Sequence, residues 1–134
     1  MVTVEIRGKE FPLCLTVAAV DVINARCGSL KQLGSFLDGK DASGGVDYGQ
    51  AMYNTAWMLG LLISEGEENR LVCARFDGKT VERHAVPDAT AICHLLTVAE
   101  AKKYRSAVLT AVHESMVQEI EAEHSKNGEH AEQK

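Results

Sequence analysis

Cysteine, histidine and the carboxylates are the residues of this chain that could do chemistry, and their spacing decides whether they do. Cys93 stands beside His94, a thiol next to a base. Adjacent residues on a helix point about 100° apart, so the two are badly set for an in-line pair. Cys14, Cys27, Cys73 and Cys93 never fall two residues apart, so they lack zinc-knuckle spacing and read as small buried hydrophobes. His84, His94, His113, His124 and His130 include no pair at the i, i+4 spacing of a helical metal site. No serine sits in a strand-turn-helix elbow. The glycine-rich SGGVDYG lacks the Lys-Ser or Lys-Thr ending of a phosphate loop and follows no strand pattern. Glu67-Glu68 and Glu119, Glu121 and Glu123 read as solvated faces. The expectation is therefore no catalytic residues, no metal ligands and no cofactor.

Partners are bounded by charge. A net charge of -5 argues against an electrostatic grip on phosphate backbones. Residues 17–37 loosely resemble a helix-turn-helix, but the second helix carries Lys31 as its only positive charge, so nucleic-acid binding is disfavoured. No run of 18 apolar residues predicts a membrane span, and the N-terminus reads as strand rather than signal peptide, which points to the cytoplasm.

The elements that must position any site are mostly helices. The chain has 134 residues, enough for one core, with 5% aromatics and two prolines. Residues 2–15 predict a β-hairpin turning at Gly8-Lys9, with Val2, Val4, Ile6, Phe11, Leu13 and Leu15 on one face. A lone hairpin is marginal in water, so that face needs a cover. Thr16 predicts a cap for a helix over 17–26, its inner side built from Val17, Val20 and Ile23, and Gly28 a stop. Ser29 predicts the cap of a second short helix, LKQLGSFL.

The loop 38–47 has no apolar period and reads as mobile. Asp47 predicts the start of a long helix, YGQAMYNTAWMLGLLISEG, apolar nearly all round and therefore central to the core or shared with a partner. Residues 67–76 read as more helix after a kink or break at Gly66, with a strand as the rival. Residues 77–87 carry no clear pattern. Asp88 predicts a cap for ATAICHLL. Thr97-x-x-Glu100 is a capping-box pattern opening the last helix, whose stripe runs through Val98, Ala101, Tyr104 or Arg105, Val108, Ala111 or Val112, Met116 and Ile120. The sum is a mainly α fold: an N-terminal β-hairpin packed on a bundle of about five helices, one domain over 1–121, then a disordered, flexible acidic C-terminal tail over 122–134.

The stretch VEIRGKEFPLCLTVAAVDVINARCGSLKQL carries a resemblance. Ile6, Gly8, Lys9, Glu10, Phe11 and Leu13 match a short "I-x-G-K-E-aromatic-x-L" ribbon followed by an apolar helix and a glycine-punctuated second helix. MYNTAWMLGLLISEGEENR would then be the central helix. In this order of features the chain resembles the tail assembly chaperones of long-tailed bacteriophages and prophages. The resemblance implies a non-catalytic protein that binds the tape measure protein, keeps it soluble and helps recruit tail tube subunits during tail morphogenesis. It also implies residence in the bacterial host cytoplasm, departure before the virion is mature, and in many members a longer frameshifted form.

Methionine-rich surfaces suit varied helical clients, because they repack easily. The expected partner-binding residues are Phe36, Leu37, Met52, Trp57 and Met58, with core packing as the competing role for each. A homo-oligomer is a further expectation. The alternative reading is a cytosolic helical adaptor or regulatory protein, with weak nucleic-acid contact as one form of it.

Overall fold

The structure, a computed structural model, describes residues 1–116. The expected tail, the boundary at 121 and Ile120 lie outside the described residues. Two antiparallel strands, β1 (Thr3–Ile6) and β2 (Lys9–Pro12), are followed by helices α1 (Val17–Cys27), α2 (Leu33–Leu37), α3 (Tyr48–Phe76), α4 (Ala89–Leu95) and α5 (Val98–Lys103). The chain bends at Tyr104 and residues 105–116 continue as helix. This is the mainly helical architecture with an N-terminal hairpin that the sequence predicts.

The hairpin turns one residue earlier than expected. Its central residues are Arg7 and Gly8, with φ of 50° and 82°, and Ile6 pairs with Lys9. Positive φ at both positions is the primed-turn geometry that matches strand twist. Compared with a turn at Gly8-Lys9, the pairing slides by two residues. A slide of two keeps every side chain on its face, so alternation alone could not choose between the registers. In the observed register Pro12 lies opposite Thr3, and Leu13 closes the ribbon by donating to the Val2 carbonyl. Cys14 then donates to the carbonyl of Leu62 in α3 at 3.2 Å, fastening the hairpin to the central helix.

Gly66 explains how the ribbon gets so close. A Cβ there would stand 2.8 Å from the Pro12 carbonyl oxygen. The glycine serves a close approach and does not break the helix: α3 runs unbroken for 29 residues, about 44 Å at 1.5 Å per residue. The strand alternative for its second half is excluded. Gly60 plays the same role toward α4, since a Cβ would meet the Ala89 Cα at 2.4 Å.

Four side chains start helices as the sequence predicts. Thr16, Asp47, Asp88 and Thr97 accept hydrogen bonds from the backbone N–H of Ala19, Gln50, Ala91 and Glu100, satisfying donors that have no partner inside the helix. Thr97 and Glu100 complete the capping box. Ser29 makes no such bond, and residues Leu30–Gln32 form a 3-10 turn before a short α2, rather than one helix over 30–37. The first residues after two caps, Val17 and Val98, point outward and leave the stripes predicted for them.

The core gathers around α3. Ile23 of α1, Leu33 and Leu37 of α2, Met58, Leu59, Leu62 and Ile63 of α3, Ile92 of α4 and Val108 join Val4, Ile6 and Leu13 from the hairpin. The ribbon's apolar face thus finds its cover within the chain. The loop 38–47 closes on itself: the Asp41 carboxylate accepts from Ser43 N–H, Ser43 Oγ and Gly45 N–H, and Lys40 bridges Val46. No helix among the described residues is long and apolar enough to cross a membrane.

Candidate functional site

The five expected partner-binding residues divide in two. Leu37 and Met58 have no exposed surface at all and belong to the core. They drop out as surface contacts, because a fully enclosed side chain cannot touch a partner without the fold opening. Phe36, Met52 and Trp57 are half-buried and lie toward the N-terminal half of α3.

Phe36 and Trp57 pack edge-on, with ring centroids 6.0 Å apart and planes at 78°. That arrangement places the positive edge of one ring on the negative face of the other. Phe36 is held in place through its backbone. Asn54, buried in α3, donates Nδ2–H to the Phe36 carbonyl at 2.8 Å and accepts from Gln50 Nε2 at 2.7 Å. The Asn54 side chain therefore locks the end of α2 onto α3 and sets the pose of the aromatic pair.

Arg26, in the last turn of α1, extends over the Trp57 ring at 4.7 Å and reaches Tyr53 at 5.6 Å. Its guanidinium makes no ion pair among the described residues. The result is an aromatic shelf of Phe36, Trp57 and Tyr53 with a cation stacked on it.

A groove adjoins the shelf. Gly49, Met52, Tyr53 and Ala56, at helical spacing on one side of α3, face Cys93, Leu96, Thr97, Val98 and Ala101 across an open cleft of about 200 Å³. Tyr53 is 46% exposed and Val98 stands out at the rim. The arrangement can receive apolar or aromatic side chains and offers one positive charge beside them. Arg26, Tyr53 and Val98 are absent from the contacts expected of the sequence. Tyr53 is findable there, because it lies four residues before Trp57 on the same helical face. Arg26 is not, since its place over the rings depends on how α1 crosses α3.

Of the cysteines, Cys93 lines this groove and Cys14, Cys27 and Cys73 do not. Burial pushes the thiols of Cys14, Cys27 and Cys93 up from their ordinary value, away from the thiolate that a nucleophile needs. All four cysteines are free. No group of three or more metal-ligating side chains comes together among the described residues.

Glu67 overturns one sequence expectation. It is buried, not solvated. Arg70 donates to its two carboxylate oxygens at 2.8 Å each, and the His84 backbone N–H donates to it as well. The Arg70 hydrogen bonds, with help from His84, hold its carboxyl down at about 2 despite the opposing effect of burial. Arg70 also donates to the Glu82 carbonyl, and Arg83 pairs with Glu68 at 2.5 Å. The irregular segment 79–87 is thereby strapped along α3, a structural role.

Compared with known families, characterised proteins and solved structures, the chain matches no family model, no curated protein and no solved structure.

Proposed function

We propose that this chain is a tail assembly chaperone of a long-tailed bacteriophage or prophage, a non-catalytic protein that binds the tape measure protein and helps recruit tail tube subunits. The observation that carries the reading is the aromatic shelf with its groove. Phe36, Trp57 and Tyr53 offer partly desolvated rings, Met52 an adaptable thioether beside them, and Arg26 a cation with no ion pair among the described residues. A long helical client presents rows of apolar side chains every three to four residues, and a groove along α3 suits such a row. The hairpin followed by helices, in the order the resemblance implies, supports the same reading.

The test is co-expression with the tape measure protein encoded alongside this chain, followed by affinity pull-down and light scattering. A soluble complex holding several copies of this chain per tape measure is the expected result. An insoluble tape measure and no co-purification would remove the proposal and leave a helical adaptor of another system.

A further inference from the structure

The shelf uses the N-terminal half of α3. Its C-terminal half carries a second, separate surface. Glu65, Glu68, Asn69, Val72, Arg75 and Phe76 lie within about 60° either side of Val72 at 100° per residue, forming one outward stripe. Phe76 is 90% exposed and Val72 54%. Where this stripe meets the start of α1, an open groove of about 450 Å³ runs between Thr16, Val17 and Ala18 on one side and Glu65, Glu68, Asn69 and Val72 on the other.

The stripe is ordered by charge. Acids Glu65 and Glu68 precede Val72 and Arg75 follows it; within the chain Glu65 accepts from the Thr16 hydroxyl and Glu68 pairs with the exposed Arg83. Arg75 forms no ion pair among the described residues. An antiparallel copy of the same stripe, related by a two-fold axis at Val72, sets residue 72−k against 72+k. The operation sets Arg75 of one copy opposite Asn69 of the other, within about 1.5 Å of the height of Glu68 and on the same side of the contact, where it shares that carboxylate with Arg83. The same operation carries Phe76 to the height of Glu68 and Asn69, where the groove bordered by Val17 opens. One surface thus supplies both the knob and the hole, as an isologous contact requires.

We propose that two copies of this chain pair along the outer stripe of α3, antiparallel about Val72, each Phe76 seated in the other's groove beside Val17. The pairing does not depend on the chaperone reading and leaves the aromatic shelf open. The contact spans a few helical turns, at the small end of specific interfaces, so association depends on concentration.

Sedimentation velocity of the full chain over a range of concentrations tests this. A monomer–dimer equilibrium is expected. Phe76→Glu, at a position with almost no burial in the monomer, should abolish dimerisation while the circular dichroism spectrum stays unchanged. Glu68→Arg and Arg75→Glu should each weaken the dimer by about tenfold or more through like-charge contacts, with Arg83→Ala, which removes only the ion pair that Glu68 makes within the chain, leaving it intact. Glu68→Arg combined with Arg75→Glu should restore it, which fixes the antiparallel register. A chain that stays monomeric throughout, a dimer indifferent to Phe76→Glu, or charge reversals that add instead of compensating would each overturn the proposal.

Discussion

Replacing Glu67 by glutamine should destabilise the fold at neutral pH and leave it almost untouched in acid. The carboxyl drops from an ordinary value of 4.5 to about 2 on folding. At 1.36 kcal/mol per pH unit this depression is worth about 3 kcal/mol. The Arg70 side chain is 35% exposed, so solvent screens part of the interaction and about 2 kcal/mol is the figure to expect. The sign follows from a folded value below the unfolded one. The stabilisation is fully present above about pH 5, is lost as pH falls from 4.5 toward 2, and is absent below both. The glutamine side chain would keep the shape but lose the charge that holds Arg70 and the His84 N–H.

Urea unfolding followed by the fluorescence of Trp57, the only tryptophan, gives the number directly. Wild type and Glu67→Gln should differ by about 2 kcal/mol at pH 7 and converge by pH 2. A difference that is the same at both pH values, or below about 0.5 kcal/mol at pH 7, would refute the assigned role, since surface substitutions alone do that little.

Other perturbations separate core from surface. Gly60→Ala should cost about 1–3 kcal/mol in chemical denaturation, because the new Cβ collides with Ala89 backbone and α4 must shift. Leu37→Ala and Met58→Ala should each lower stability by about 2–5 kcal/mol, as expected for enclosed side chains. Client binding per folded molecule should be unchanged in both. Thr97→Ala should cost about 1 kcal/mol by removing the capping box, read as a lower thermal midpoint.

Local chemistry is legible in the sequence and distant chemistry is not. Thr16, Asp47, Asp88 and Thr97 are readable as caps because a cap acts within three residues of itself. The central place of α3 is readable from its nearly continuous apolar circumference. Gly66 suggests a kink or break on paper, but its reason is the Pro12 carbonyl, more than fifty positions away in sequence. Glu67 looks like half of a solvated acidic pair, and only the strap at Glu82–His84 makes it a buried anchor. Val17 continues an apolar stripe in the sequence, yet the first position after a cap turns it outward.

The aromatic shelf shows the same limit. Phe36, Met52 and Trp57 are identifiable by type, but Leu37 and Met58 cannot be told from them, because a helix apolar on most sides does not reveal which residue its neighbours enclose. Arg26 joins the shelf only through the crossing of α1 and α3.

The central claim is that the shelf and groove bind a helical client. Calorimetric titration of the purified chain with apolar helical segments of the tape measure protein encoded alongside it tests this most directly, comparing wild type with Tyr53→Ala and Arg26→Glu, both at exposed positions. The account predicts saturable binding by wild type and at least about a tenfold loss in each variant, with unfolding midpoints unchanged. Wild-type binding that both variants retain would place the client elsewhere on the molecule, and no binding at any segment would contradict the chaperone reading itself.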